Sequence, residues 1–358
     1  MPAIPSCKQG IAAYRAGMKT RSGKQPARLL RKSGVPPVTR RLRQALRMPA
    51  TQQNDAVAAA DGLRFGLCCQ FARQPIKFRT TTVAVVGKLP RPEQLRRLAD
   101  LCAVNAEALL ASLRFCAANG IGSFRITSTL MPIKTHPAAG YRVEDLPGAH
   151  ELVARFRRCG DFARDHGIRT GFHPDQFVVL NSPDPGIVAR SVADIESQAE
   201  MAGWIHADTV NIHGGGGYGD KPAALERFRR NLDLLSDRAR TLLTVENDDK
   251  TFAPADLLPI CRSEGVPLVY DVHHHRCRPD DLTVEQASAA ARATWEREPL
   301  FHISSPLDGW QGPLQRRHHD YINPADFPAA WLGWALTVEV EAKAKELAVA
   351  RLRQDLRM

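Results

Sequence analysis

Eight short apolar segments recur along this chain from residue 64 onward, and amphipathic segments with a helical period separate most of them. Strands that alternate with helices form a parallel sheet that is covered on both faces. Eight such units predict an α/β fold closed into a (β/α)8 TIM barrel, and a doubly wound open sheet is the alternative. The predicted strands span residues 64–69, 123–127, 168–172, 209–212, 242–245, 267–270, 300–303 and 336–341.

The helices are predicted from apolar residues three or four positions apart and from capping residues at their ends. They span residues 90–119, 149–165, 187–205, 221–240, 283–295 and 324–332. No G-x-G-x-x-G motif opens a helix after the first strand, so the sequence gives no support for dinucleotide binding.

Most of the predicted strands end at a His, Asp or Glu, or lead into a loop that carries one. The active site of a TIM barrel lies at the carboxyl ends of its strands, so these side chains are expected to converge there. Any single one of them could instead be a core histidine with satisfied hydrogen bonds. The candidate ligands are His136, His173, His213, Glu246, Asp271, His274, His302, His318 and Glu341. A set of imidazoles and carboxylates without thiolate favours Mn²⁺, Zn²⁺, Fe²⁺ or Mg²⁺, and its size favours more than one ion.

The segment 268–275 is the densest of these strand ends, because an apolar strand runs directly into Asp271 and three histidines. Burying several ionisable groups is costly unless a partner such as a divalent metal compensates them. We expect Asp271 and His274 to be the ligands of this segment. The alternative for His273 and His275 is that they face solvent.

The first 50 residues carry twelve Lys or Arg and no Asp or Glu, although the whole chain has a net charge of only +11. We therefore predict a basic, disordered extension over residues 1–60 and a barrel domain over residues 61–358. Such an extension suits a polyanion, because basic side chains release counterions from phosphates. A solvated tail, an upstream start assignment and an organellar transit peptide remain alternatives. The sequence has no secretory h-region and no apolar run of about 18 residues, which favours an intracellular protein.

Several motifs in this order resemble the UV damage endonuclease family, whose TIM barrel is similar to endonuclease IV. The resemblance runs from about residue 64 to about residue 353. The motifs are His173-Pro174-Asp175-Gln176-Phe177, Asn211-Ile212-His213-Gly214-Gly215-Gly216, Val245-Glu246-Asn247-Asp248-Asp249, Asp271-Val272-His273-His274, His302-Ile303-Ser304-Ser305, His318-His319-Asp320-Tyr321-Ile322 and Glu341-Ala342-Lys343-Ala344-Lys345.

The resemblance implies a DNA repair enzyme that nicks damaged double-stranded DNA on the 5′ side of UV photoproducts and some abasic sites, leaving a 3′-hydroxyl and a 5′-phosphate. It implies a cluster of two or three divalent ions, manganese first and zinc, magnesium or iron as alternatives, held by all nine candidate ligands. Glu246, Glu341 and His274 are the expected catalytic residues. We expect a cytoplasmic monomer that joins the nucleoid when on DNA and does not bind membranes.

The resemblance also assigns Gln176 and Phe177 to probing the duplex opposite the lesion. A loop-borne aromatic ring can wedge into a base step where a damaged base stacks poorly. Because residues 178–180 are apolar, ordinary core packing is the alternative for Phe177. Lys77 and Arg79, in the loop after the first strand, either contact DNA phosphates or lie in a solvated loop.

The glycines at 214–217 either let a phosphate approach the backbone or form a tight turn.

Three positions depart from the family pattern. Phe177 stands where members commonly have Tyr, so stacking is kept and a hydroxyl is lost. Leu300 stands where some members have a lysine that becomes modified to a carbamate, which this chain cannot form. Residues 67–71 do not match the family's lesion-pocket Tyr and Asn.

Two other classes of protein remain possible on the residues alone. A TIM-barrel sugar isomerase or epimerase would use two metals and a basic group for proton transfer, and Lys343 or Lys345 could supply that group. A non-catalytic DNA-binding protein would rely on the basic extension and would not need the candidate ligands.

Overall fold

A computed structural model describes residues 62–358 of the chain, and the predicted extension over residues 1–60 lies outside the described residues. Eight parallel strands pair in sequence order, and the first strand pairs with the last, so the sheet closes into a barrel. The strands are β1 (Leu63–Cys68), β2 (Ser123–Ile126), β3 (Arg169–Phe172), β4 (Thr209–His213), β5 (Leu243–Glu246), β6 (Leu268–Asp271), β7 (Leu300–Ile303) and β8 (Leu336–Val340). The predicted (β/α)8 TIM barrel is confirmed, and the open sheet is excluded.

Helices cover the outer face of the barrel, and a short one lies at the carboxyl end of β6. They are α1 (Val83–Val86), α2 (Arg91–Ala118), α3 (Ala149–Asp165), α4 (Pro185–Ile205), α5 (Lys221–Asn231), α6 (Asp237–Leu242), α7 (Pro254–Glu264), α8 (Val272–Cys277), α9 (Val284–Arg292) and α10 (Glu346–Asp355). The outward side chains of the strands, Phe124 and Phe172 among them, form one buried apolar layer with the inner faces of these helices.

Two predicted helices were wrong in detail. The helix predicted over residues 221–240 is divided, because a 3-10 turn follows α5 and Ser236 then caps α6 by accepting a hydrogen bond from Ala239 N at 3.2 Å. The helix predicted over residues 324–332 is instead two 3-10 turns, Pro324–Asp326 and Ala329–Gly333. Pro328 lies between them and restricts the preceding residue to extended backbone, which prevents one continuous helix.

One described helix, α2, is long and apolar enough to cross a membrane by length and composition. Its inner face, which includes Leu98, Leu109 and Leu113, is buried in the apolar layer around the barrel. On its outer side Glu107 pairs with Arg155 of α3 at 3.0 Å. These contacts show α2 as a packed barrel helix.

The interior of the barrel is polar, in contrast to the apolar layers that fill many TIM barrels. Arg125 of β2 contacts Glu339 of β8 and His302 of β7 across the barrel axis, so these side chains point inward. Glycines make room for this interior. A Cβ at Gly171 would lie 2.2 Å from Thr209 Oγ1, and one at Gly66 would lie 3.0 Å from Glu339 Cγ.

Candidate metal centre and DNA-facing surface

Seven of the nine candidate ligands converge at the carboxyl ends of the strands. They form three overlapping groups whose ligand atoms lie within 4.8 Å of one another: His173 with His213 and Glu246, His173 with His302 and Glu341, and Glu246 with Asp271 and His274. The strand register explains the convergence, because it pairs His213 with Glu246 and Asp271 with His302 on neighbouring strands.

Glu246 is fully buried and is shared by two of these groups. One carboxylate oxygen, Oε2, lies 2.9 Å from His173 Nε2 and accepts a hydrogen bond from Asn211 Nδ2 at 2.6 Å. The other, Oε1, lies 3.2 Å from His274 Nδ1 and 3.2 Å from His302 Nδ1. Burial opposes its ionisation, but the charges of His302 and His213 hold the pKa of Glu246 well below its usual range.

Several ligand atoms of this cluster are buried without a hydrogen-bond partner: Glu246 Oε1, Asp271 Oδ2, His213 Nδ1 and His302 Nδ1. Leaving a buried donor or acceptor unsatisfied costs about 1–3 kcal/mol each. Nitrogen and oxygen ligands that share one ion at about 2.0–2.2 Å lie about 3–3.5 Å apart, and the 3.2 Å approaches to Glu246 Oε1 match that spacing. These residues therefore fit a divalent metal centre with mixed oxygen and nitrogen ligands.

Helix α8 places Asp271 and His274 side by side. It starts directly after β6, and Asp271 caps it by accepting a hydrogen bond from His274 N at 2.7 Å. Asn247 of the neighbouring loop fixes both residues. Its Nδ2 donates a hydrogen bond to Asp271 O at 2.9 Å, and its Oδ1 accepts one from Asp271 N at 3.0 Å. Its backbone carbonyl oxygen lies 3.0 Å from His274 Nδ1.

The idea that His273 and His275 face solvent was wrong, because both are buried. His275 is held between the Tyr270 hydroxyl at 2.7 Å and Asp280 Oδ1 at 3.0 Å, so it stabilises the fold outside the cluster. The ring of His273 lies 5.2 Å from that of His318, and burial lowers the pKa of His273 to about 4. Both side chains belong to the short helix α8, in which Val272, His273 and His275 are buried.

The remaining two candidate ligands lie outside the three groups. His318 Nδ1 is 3.7 Å from Glu341 Oε2, so it borders the cluster. Among the described residues, His136 belongs to none of the three ligand groups. It belongs to a tight loop in which its Nδ1 accepts a hydrogen bond from Ala138 N at 3.1 Å and its carbonyl accepts one from Gly140 N at 2.7 Å. The structure thus does not bring His136 together with the other predicted ligands.

Sequence analysis missed two charged residues beneath the cluster, Arg125 and Glu339. Arg125 Nε lies 2.5 Å from Glu339 Oε2, and its Nη2 lies 2.5 Å from Glu341 Oε1 and 3.1 Å from His302 Nε2. All of these groups are buried or nearly so. The sequence did contain a signal for Arg125. It lies between the apolar residues Phe124 and Ile126, so its side chain points to the opposite face of the strand from theirs.

The protonation of the histidines follows from these contacts. Burial opposes a charged imidazole, but the carboxylate of Glu246 raises the pKa of His302 to about 10. The pKa of His274 is also raised well above its usual value, since Asp271 and Glu246 outweigh the effect of burial. His302, with a pKa of about 10, is therefore protonated at neutral pH when no cation compensates the carboxylates, and the pKa of His274 is shifted in the same direction.

Metal binding is expected to release protons, because an imidazole must be neutral to coordinate an ion. A raised pKa means that the proton stays bound up to high pH, so the apparent metal affinity should increase as the pH rises from 6 toward the pKa of His302, about 10. Calorimetric titration of metal-free protein in buffers of different ionisation enthalpy measures the protons released. Binding without proton release, or with an affinity independent of pH, would contradict this protonation pattern.

Phe177 is exposed on the same face as the cluster. Its side chain is 59% accessible, whereas the next three residues, Val178, Val179 and Leu180, are buried. A turn explains the difference, because Asp175 accepts hydrogen bonds from Phe177 N at 3.1 Å and Val178 N at 2.8 Å. Core packing therefore does not account for Phe177.

Gln176, Lys77 and Arg79 are also exposed on loops at this end of the barrel. The loop that carries Lys77 and Arg79 is held to α2, because Asn105 Oδ1 accepts a hydrogen bond from Arg79 N at 2.6 Å. Leu300 is buried with Val269 and Trp295 in a small apolar cluster.

Comparisons with known proteins agree with this geometry. The family model of UV-endonuclease UvdE matches residues 63–358. The chain is 37% identical to a UV DNA damage endonuclease of Deinococcus radiodurans over 303 residues, covering 81% of this chain and 94% of that protein. It is 33% identical to the corresponding protein of Bacillus velezensis over 314 residues, covering 82% and 93%.

Two solved structures are similar to the fold. The crystal structure of SacUVDE aligns with a TM-score of 0.74 and 25% identity, covering 82% of this chain and 98% of that chain. The crystal structure of endonuclease IV from Thermus thermophilus aligns with a TM-score of 0.54 and 16% identity, covering 82% and 97%. The second likeness shows a shared fold.

Proposed function

This chain belongs to the UV-endonuclease UvdE family and is a DNA repair endonuclease that acts on UV damage, and from this premise we propose how it cuts. It incises the phosphodiester on the 5′ side of UV photoproducts and related lesions and leaves a 3′-hydroxyl and a 5′-phosphate. The observation that carries the proposal is the set of unsatisfied ligand atoms on Glu246, Asp271, His213 and His302 at the carboxyl ends of the strands.

The metal centre would be held by His173, His213, Glu246, Asp271, His274, His302 and Glu341, with His318 at its border. Three overlapping ligand groups suit two or three ions, and the oxygen and nitrogen ligands suit Mn²⁺ first, with Zn²⁺, Fe²⁺ or Mg²⁺ as alternatives. When bound, such ions supply Lewis-acid activation of water and of the phosphoryl group.

The protein's own groups would orient this centre. Asn211 holds one oxygen of Glu246, and Asn247 fixes Asp271 and His274, so these side chains keep their positions before any substrate arrives. Partners of this kind outside the ligand set typically contribute 10- to 100-fold to metal affinity or activity. The carboxylates of Glu246 and Glu341 supply the negative charge that retains the ions, and His274 lies between Asp271 and Glu246.

Lesion recognition would use the exposed residues around the centre. Gln176 and Phe177 would enter the duplex opposite a poorly stacked lesion, and Lys77 and Arg79 would contact phosphates of the backbone. We propose that the enzyme acts inside the cell on double-stranded DNA as a monomer.

Replacing both Gln176 and Phe177 by Ala is expected to weaken binding to lesion-bearing duplex by about 1–3 kcal/mol for each base stack that is removed. Activity on a single-stranded or small phosphodiester substrate should change little, because the metal ligands are untouched. Phe177→Tyr, which keeps the ring, is the matched control and should be tolerated. An equal loss of activity on damaged duplex and on single-stranded substrate would contradict a role of Phe177 in lesion recognition.

The proposed reaction is tested with a labelled duplex that contains one UV photoproduct and with its undamaged counterpart. A nick on the 5′ side of the photoproduct, with a 3′-end that a polymerase extends and a 5′-end that a ligase accepts, is the expected result. A sugar isomerase or epimerase, the alternative from sequence, would leave both duplexes intact and convert a polyol instead.

A further inference from the structure

A second aromatic ring is exposed on the loop next to that of Phe177. Eight large hydrophobic side chains are exposed within residues 62–358, and Phe177 and Tyr218 are the aromatic members of that group. Tyr218 is 47% accessible and lies in the loop that follows His213 at the end of β4, whereas Phe177 lies in the loop that follows β3. Both rings are therefore carried by neighbouring strand ends that also supply candidate metal ligands.

A single buried residue, Asn181, joins the two loops. It belongs to the segment after Phe177, and its side-chain amide donates hydrogen bonds to Gly214 O and Gly216 O, each at 2.8 Å. The loop approaches so closely that a Cβ at Gly215, where φ is +86°, would lie 2.3 Å from Asn181 Oδ1. These contacts explain the glycine run, which the sequence left open between a tight turn and phosphate approach.

The Tyr218 ring is held in place by contacts with Gly216 and Arg227. A Cβ at Gly216 would lie 3.1 Å from the ring atoms Cε2 and Cζ, so the ring rests against that backbone. The Arg227 guanidinium is 5.6 Å from the ring centroid, and Arg227 Nε donates a hydrogen bond to Asn181 O at 2.9 Å. The ring, the arginine and both loops thus form one connected unit.

The backbone of Tyr218 indicates that this position is constrained. Its φ is +50°, which is uncommon for a residue with a bulky side chain. Such conformations cost of order 1–3 kcal/mol and persist only where the surroundings determine them, often at ligand-binding sites. Here the strained backbone presents a ring to solvent rather than to the core.

We propose that Tyr218 is a second DNA-stacking residue, which receives a nucleotide flanking the lesion while Phe177 occupies the damaged step. The inference rests on the proposed function and extends it. Stacking on a flat ring tolerates any base, as an enzyme that acts at lesions in varied sequences requires. The Arg227 cation, 5.6 Å from the ring centroid, adds attraction for the phosphate backbone.

The test measures, by fluorescence anisotropy, the affinity of the metal-loaded full chain for a photoproduct duplex whose target phosphodiester is replaced by an uncleavable analogue. Tyr218→Ala is expected to weaken binding by about 5- to 150-fold, the range that removal of one base stack gives. Tyr218→Phe should bind like the wild type. The salt dependence should keep its slope, because that slope counts phosphate contacts and the substitution removes none.

The control is Leu332→Ala, which removes an equally exposed apolar side chain from the segment before β8, at the opposite end of the barrel. Its affinity should equal that of the wild type.

Tyr218→Leu keeps most of the side-chain volume, so it tests the stacking role if the Ala variant unfolds. Weak DNA binding by folded Tyr218→Leu supports stacking. Wild-type affinity in a folded Tyr218→Leu or Tyr218→Ala variant would overturn the inference. A wild-type protein that does not prefer damaged duplex would instead contradict the proposed function.

Discussion

Glu246→Gln is expected to reduce metal binding by at least about 10- to 100-fold and to nearly abolish incision, because even residues outside the ligand set have effects of that size. Glu246 is shared by two of the three ligand groups, and its Oε1 lies 3.2 Å from both His274 and His302. The substitution keeps the shape of the side chain and removes its charge. Metal content per chain, measured by mass spectrometry, and nicking of a photoproduct duplex report the two effects.

Glu298→Gln is the matched control. Glu298 is also nearly buried and pairs with Arg64 at 2.8 Å, but this pair lies at the opposite end of the barrel from the cluster. The control should lower thermal stability and leave the metal content unchanged. Normal metal content together with near wild-type nicking in Glu246→Gln would show that the proposed cluster is wrong.

Arg125→Met is expected to destabilise the metal-free protein by about 3–5 kcal/mol, the cost of removing one partner from a buried ion pair. Arg125 lies 2.5 Å from Glu339 and 2.5 Å from Glu341, and the substitution leaves both carboxylates buried with less compensation. Urea denaturation of the metal-free variant and wild type measures the loss of unfolding free energy.

The double variant Arg125→Met with Glu339→Gln tests how much of the lost stability comes from the Glu339 charge. It removes one of the two carboxylate charges that Arg125 compensates, so it should be more stable than Arg125→Met alone. If the double variant were as unstable as Arg125→Met, the Glu339 charge would not explain the loss of stability, and the supporting role of the Arg125–Glu339 pair would be rejected.

The sequence predicted the barrel because each strand is a short apolar run bounded by polar residues, and such a run has few other uses in an α/β chain. The same regularity predicted the cluster. Strand ends meet at one face of a barrel, so His173, His213, Glu246 and His302 could be expected to converge before any coordinates were known.

What the sequence did not predict depends on contacts between segments that are distant in the chain. The pairing of Arg125 with Glu339 joins β2 to β8, and alternation alone shows which face a residue occupies but not its partner. The buried position of His273 and His275 required the short helix α8, whose first turn depends on the Asp271 cap. His136 lies outside the three ligand groups, in a loop where its Nδ1 and its carbonyl oxygen accept backbone hydrogen bonds.

Family membership and geometry answer different parts of the functional question. The family model and the relatives establish repair of UV damage. The structure describes the surroundings of two positions that the sequence singled out, since Phe177 is exposed and Leu300 is buried. Leu300 packs with Val269 and Trp295, so no modified lysine lies at this position. The Arg125 and Glu339 pair adds buried charge beneath the cluster.

The claim that these strand-end side chains hold the ions needed for incision is tested most directly by restoring metal. Metal-free protein is titrated with Mn²⁺ in the presence of a duplex that contains one UV photoproduct, and bound ions and nicked strands are measured in the same samples. We expect no nick before metal is added and a 5′ nick whose yield increases as two or three ions bind per chain. Full nicking by the metal-free protein, or an intact duplex when the ligand groups are filled, would contradict the account.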